Sequence, residues 1–321
     1  MKSIKMSMNF KRYLQFVVKY NTVLIFLIML LVSAIVSDVF FTSSNLFNLI
    51  RQVTPVGIIS MGMLLVILTG GIDLSVGSVV AMSGVLCALF TQTMPLPLAI
   101  TAALASGLLV GSLSGYLVSI HKMAPFIATL ALMSIVRGIG FIASKGAPIL
   151  VAEEASALTD FGSGNTMGIP NPALILFLVF AITSVILRYN VFGRIVIAIG
   201  SNEEAVRLSG IKVSVFKFCV YAITGSLSAV AGIITTARTA VGSPVMGVGM
   251  ELDVIATVVI GGASLSGGKG SAINTLLGVL ILGMIGNIMN LLIIPSYLQQ
   301  IIKGLIIIAA VLLQRFQTKN N

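Results

Sequence analysis

Charge is too scarce in this chain for water to be its main solvent. Asp, Glu, Lys and Arg make up 9% of the 321 residues, hydrophobic residues 57%, and the mean hydropathy is +1.12. A water-soluble domain carries about 25% charged residues. The chain therefore reads as an all-α polytopic membrane protein, a single transmembrane domain over residues 1–321. No stretch is polar enough or long enough to be a separate soluble domain. The formal charge of +10 would suggest nucleic acid in a soluble protein. Here the bias of Lys and Arg toward cytoplasmic loops explains it, and no nucleic acid is expected. Cys87 and Cys219 lie inside apolar runs and read as small buried hydrophobes.

A helical span needs about 20 mostly apolar residues. About ten such helices can be placed, near 20–37, 54–70, 75–91, 96–119, 124–144, 172–189, 216–236, 252–267, 272–293 and 297–314. The first is read as a retained span. Its apolar run is long for a signal peptide, and no small-x-small cleavage site precedes Asp38. With residues 1–19 as a cytoplasmic tail, the inner segments hold Lys2, Lys5, Lys11, Arg12, Lys19, Lys122, Arg188, Arg194, Arg207, Lys212, Lys217, Lys269, Arg315 and Lys319. The outer ones hold Arg51, Lys145 and Arg238, while Arg137 and Lys303 fall within spans. That asymmetry places both termini in the cytoplasm.

Two connections are long. Residues 145–171, with Glu153, Glu154 and Asp160, form an extracytoplasmic loop. Residues 188–217 form a cytoplasmic one, and a short helix is legible within it. Ser201 or Asn202 can cap the first free N–H groups, Glu203 and Glu204 suit the positive end of the dipole, and Gly210 can end the helix in the left-handed conformation. Two turns are not stable alone in water. The segment either is a capped surface turn or docks on a soluble partner.

Two glycine-rich breaks interrupt the spans: Gly70-Gly71-Ile72-Asp73-Leu74-Ser75-Val76-Gly77-Ser78, and Gly261-Gly262-Ala263-Ser264-Leu265-Ser266-Gly267-Gly268-Lys269-Gly270. Aligning Gly70 with Gly261 matches five of the first eight positions, a faint sign of duplication. Backbone broken at membrane depth is tolerated only where protein or water surrounds it. Asp73 then either caps the helix starting near Ser75 or binds solute or gates a path. Gly107, Gly111 and Gly115 form a smooth face for helix packing. Asn287 and Asn290 share a face of the ninth span, and Asn45, Asn48 and Gln52 form a polar patch outside the second. These amides either line a pathway or make interhelical hydrogen bonds. His121 is loop polarity.

The chain has no engine of its own. It lacks a G-x-x-x-x-G-K-[ST] phosphate loop, and Gly267-Gly268-Lys269-Gly270-Ser271 has the wrong spacing. No intramembrane acid pair or His cluster supports proton coupling, and no nucleophile–His–acid set suggests a membrane enzyme.

These motifs, in this order, resemble the ribose-type sugar permeases of bacterial ATP-binding-cassette importers. The likeness spans about residues 40–313. It is carried by FTSSNLFNLI (41–50), MGMLLVILTGGIDLSVGS (61–78), PFIATL (125–130), GSNEEAVRLSGI (200–211), GMELDVIATVVIGGASLSGGKG (249–270) and YLQQIIKG (297–304). It implies a multi-pass permease of the bacterial cytoplasmic membrane, itself without catalysis or bound cofactor, serving a monosaccharide such as ribose. A non-sugar solute in the same architecture, or an ion-driven secondary transporter, are the alternatives. The implied partners are a second permease copy, a cytoplasmic ATPase with two nucleotide-binding halves that uses ATP and Mg2+, and an extracytoplasmic binding protein. By the same resemblance, Glu203, Glu204, Ala205, Val206, Arg207, Leu208, Ser209, Gly210 and Ile211 form the ATPase-coupling element. Gly70, Gly71, Asp73, Ser75, Gly77 and Ser78 form a break near the path, with Gly261, Gly262, Ser264, Gly267 and Gly268 as the second break. Glu251 and Asp253 are expected to begin the eighth span near the outer face.

Overall fold

The computed structural model describes residues 21–319; the basic segment 1–19, expected as a tail, lies outside the described residues. The chain forms helices α1 (Asn21–Val36), α2 (Ser43–Leu68), α3 (Val76–Thr91), α4 (Leu96–Ser119), α5 (Pro125–Ser144), α6 (Ser156–Ser163) and α7 (Asn171–Tyr189). There follow α8 (Val191–Ser201), α9 (Glu203–Leu208), α10 (Val213–Thr239), α11 (Met250–Ile260), α12 (Ala272–Leu291) and α13 (Ser296–Lys319). Two tiny antiparallel ladders pair Ile149–Leu150 with Val241–Gly242 and Asn165–Thr166 with Ile169–Pro170. Six helices (α2, α4, α5, α7, α10 and α12) are long and apolar enough to cross a membrane.

Proline marks the first turn of α4, α5 and α7, where its missing N–H has no partner to lose. The centre is α2, whose residues 57–68 are buried side by side on every face. A helix apolar all round belongs inside the bundle. Beside it, α4 meets α10 backbone to backbone. The glycine stripe expected for packing does this: Gly107 faces Gly225 and Ala229, Gly111 faces Gly225, and Gly115 faces the Phe218 backbone.

Three elements depart from the sequence reading. Helix α2 begins at Ser43, capped by the Thr42 side chain, so Asn45, Asn48 and Gln52 lie within it rather than outside a span. The 188–217 connection contains α8, an apolar helix whose Val196 and Ile199 are buried; its 11 residues are too few for a crossing, which concealed it. The span expected over 252–267 is helical only for α11, 11 residues or about 16 Å, half the hydrocarbon thickness.

Pro55 sits inside α2 and cannot bond the carbonyl of Arg51, one turn back. The Arg238 guanidinium, from the end of α10, donates to that freed carbonyl at 3.0 Å. Arg51 in turn donates to the Ser163 carbonyl at 2.9 Å and to Asn165 Oδ1 at 2.7 Å. Two arginines thus tie α2, α10 and the 145–171 segment together at one end of the bundle. Arg238→Met should lower stability by about 1.5–3 kcal/mol, the usual worth of a charged hydrogen bond. In a Pro55→Ala background, where the helix can satisfy Arg51 itself, the loss should shrink. Thermal unfolding of the four proteins in one detergent checks this; equal losses in both backgrounds would disprove the linkage.

Candidate functional site

The two glycine-rich breaks, far apart in sequence, meet at the opposite end of the bundle. The N–H of Gly268 donates to the Leu68 carbonyl at 3.0 Å, closing the second break onto the last turn of α2. Gly267 and Gly268 have positive φ (89° and 72°), a region that excludes most side chains. Gly200 of α8 completes the contact. A Cβ there would strike the Leu68 carbonyl and the Gly268 N–H. Gly70 stands against Ser266 and Gly267 of the second break, whereas Gly261 packs on Asn274 and Thr275 of α12, and the loop expected to receive a partner meets the junction through Gly200.

Asp73 sits fully buried in the first break. Its Oδ1 accepts from the Ser75 N–H at 2.9 Å and the Ser75 hydroxyl at 2.6 Å, which starts α3. Ser78 bonds back to the Ser75 carbonyl at 2.7 Å. Tyr221 of α10 was not singled out from sequence, yet its hydroxyl lies 3.5 Å from the Ile72 carbonyl, over Gly71. A lone tyrosine in an apolar span was the available signal, since a buried hydroxyl needs a partner.

In α9, Asn202 rather than Ser201 supplies the cap, accepting from the Ala205 N–H at 3.0 Å. Glu203 pairs with Lys217 of α10 at 2.6 Å, and Glu204 with Arg207 at 2.6 Å. The bonded Glu204 carboxylate pushes the Arg207 pKa up. Val206 is buried against Ile199 and Val213, whereas Leu208 is 78% exposed. Gly210 takes φ 83° to end the helix, and Ile211 joins the small core beneath. Between α9 and the 118–125 turn lies a cavity of about 790 Å³ lined by Lys122, Glu204, Arg207 and Lys217.

Residues 241–260 are where sequence was least informative. From the Val241–Gly242 ladder the chain runs through hydrogen-bonded turns in residues 243–249, and Gly247 stands against Gly77 of α3. Only then does α11 begin. Glu251 turns to α3, its Oε2 2.5 Å from where a Cβ on Gly77 would stand. Asp253 lies beside Gln52 and Val56 of α2 and Leu282 and Gly283 of α12, near the midpoints of both helices. Helix α11 therefore begins beside the middle turns of α2 and α12. Arg137 of α5, which the sequence places within a span, holds the irregular segment. It donates to the Pro244 carbonyl at 2.9 Å and the Met246 carbonyl at 2.6 Å, with Glu251 near enough to act on it electrostatically.

The candidate pathway amides are split. Asn45 and Asn287 are buried and bonded reciprocally at 3.0 and 2.9 Å. Asn290 accepts from Gln299 at 2.9 Å, and Asn48 is exposed. An apolar cleft of about 310 Å³ between α4, α6, α7 and α10 is lined by Leu, Ile, Val, Ala and Phe alone and offers a polar solute no hydrogen bond.

A family model described as branched-chain amino acid transport system / permease component matches residues 45–311. The chain belongs to this permease family. Among curated relatives, the ribose import permease protein RbsC of Haemophilus influenzae is 41% identical over 305 residues, covering 94% of each chain. RbsC of Bacillus subtilis is 44% identical over 289 residues, 90% of each. The L-arabinose transport system permease protein AraH of Escherichia coli is 36% identical over 302 residues, 94% of this chain and 92% of the relative. No solved structure matches. The permease is a multi-pass protein of the bacterial cytoplasmic membrane, with a transport rather than a catalytic role.

Removing both Arg137 bonds leaves two carbonyls unpaired. Arg137→Met should therefore destabilise the permease by about 2–4 kcal/mol, and Arg137→Lys by less, since one donor can still reach. Thermal unfolding in detergent distinguishes them; a Met variant as stable as the parent would show that the segment holds itself.

Proposed function

We propose that the permease is the membrane-spanning subunit of a binding-protein-dependent, ATP-driven importer for a monosaccharide, with ribose the first candidate. One observation carries this: likeness to ribose import permeases along nearly the whole chain. In this reading the chain crosses the membrane ten times, the eighth crossing made by residues 241–249 followed by α11. The end carrying α9 faces the cytoplasm, in keeping with the concentration of Lys and Arg there. A second copy completes the translocation unit, an extracytoplasmic binding protein delivers solute at the 145–171 end, and a cytoplasmic ATPase with two nucleotide-binding halves consumes ATP and Mg2+.

Helix α9 would be the coupling element. The exposed Leu208 supports this, because an apolar side chain at the tip of a charged helix suits insertion into a partner's cleft. Its base is anchored by Val206 and the Glu203–Lys217 pair. Movement of α9 would pass through α8 to Gly200 and so to both glycine breaks. Solute-loaded binding protein, ATP-driven closure and hydrolysis would then alternate access to the path.

Burial of one leucine is worth about 1.5–3 kcal/mol. Leu208→Asp should therefore weaken ATPase co-purification by about tenfold or more, and Glu204→Arg should uncouple ATP hydrolysis from uptake while membrane insertion persists. Radiolabelled D-ribose uptake in energised and ATP-depleted cells, with pull-down of the tagged chain, reads both. Uptake that survives ATP depletion but collapses with the ion gradient would replace this reading with secondary transport.

A further inference from the structure

Two features on either side of the start of α11 cannot rest against lipid. The first is the irregular segment before α11, where Val245 is 61% and Val248 73% exposed. Backbone outside a helix at membrane depth lies against protein or water, never hydrocarbon. The second is the ion pair between Lys303 Nζ of α13 and Asp253 Oδ2 of α11, at 2.8 Å. Its side chains are 34% and 29% exposed, in a cleft of about 100 Å³ that also carries the exposed Gln52. That volume is room for several waters. A charged pair kept open inside a bundle marks a wet cavity.

We propose that this cleft, with Gln52, Asp253 and Lys303 as its polar groups, is a binding site for the hydroxyls of an uncharged polyhydroxyl solute on its way through the permease. The assignment rests on the importer reading and adds to it a location and a chemistry. The 2.8 Å bond engages only Oδ2 of Asp253. Oδ1 accepts a solute hydroxyl, the remaining protons of Lys303 donate, and the Gln52 amide does both. The pair neutralises itself, so it recognises polarity without requiring opposite charge. A zwitterionic amino acid would have to break the pair to use it, and a neutral sugar does not. Gly286 of α12 leaves open space in one wall, while Val53 fills the space at Gly283. The lower wall is apolar, Val56, Val279 and Leu282, and suits the C–H face of a sugar ring.

The test is cysteine accessibility in membranes containing the assembled complex. Gln52→Cys is compared with Leu109→Cys, on the exposed side of α4 (70% exposed), using a membrane-impermeant charged thiosulfonate and subtracting labelling of the parent chain with its Cys87 and Cys219. The site predicts that the cysteine at 52 reacts and that at 109 does not. It also predicts that D-ribose delivered with its binding protein slows the reaction at 52. Adding Asp253→Asn should raise the half-protecting ribose concentration by about tenfold or more, the worth of one charge-assisted hydrogen bond. Co-purification of the ATPase reports that each variant is assembled. Equal reactivity at 52 and 109, or protection unchanged by Asp253→Asn, would overturn the site. Protection by L-arabinose but not D-ribose would keep the site and overturn ribose as the solute. Protection by L-leucine alone would overturn the polyhydroxyl chemistry and with it the sugar reading.

Discussion

Every departure from the helix in this bundle must be paid for within the protein, because hydrocarbon offers the backbone no hydrogen bond. That one constraint organises the structure. Pro55 frees the Arg51 carbonyl and Arg238 takes it up. The non-helical segment before α11 presents the carbonyls of Pro244 and Met246, and Arg137 takes those. The break after α2 is closed by the Gly268 N–H on the Leu68 carbonyl, while the break before α3 is closed by Asp73 on Ser75. The few charges within the bundle are therefore spent largely on main chain. Asp253 and Lys303 are different: they are bonded to each other through their side chains and stand open to a cleft.

The same constraint explains why the two ends of the molecule differ. At the 145–171 end, side chains reach across loops: Arg51 to Ser163 and Asn165, and Gln92 to the Leu150 carbonyl at 2.8 Å. At the other end some contacts are backbone on backbone, at glycine. One end is laced by long, adjustable groups. The other adds to its side-chain contacts a junction where main chain meets main chain at Gly200 and Gly268.

Much of this was legible in the sequence, and the failures have physical causes. Most helices were found near their places because a long apolar run has few alternatives. The cap at Asp73, the left-handed Gly210 and the Gly107–Gly111–Gly115 face were readable because each rests on a short-range rule. What sequence could not supply was pairing at a distance. Asn45 and Asn287 were each visible as a polar residue, but nothing local says they bond to one another. Arg137 was visible within a span, but its recipients lie more than a hundred residues away. Helix α8 reads as loop because its apolar run is too short for a span, and 252–267 reads as one span although the helix stops at Ile260, before the glycine-rich residues 261–267. Hydropathy measures solvent preference, and non-helical backbone can share that preference with a helix.

The glycine junction of Leu68, Gly200 and Gly268 has a mechanical consequence. Ordinary helix contacts pass through side chains, which change rotamer and absorb small displacements as springs do. Here main chain bears on main chain, so no rotamer change can absorb a displacement, and the compliance that remains lies in the backbone torsions. A shift of α8 therefore reaches the end of α2 and the loop that follows α11 without a side chain between them.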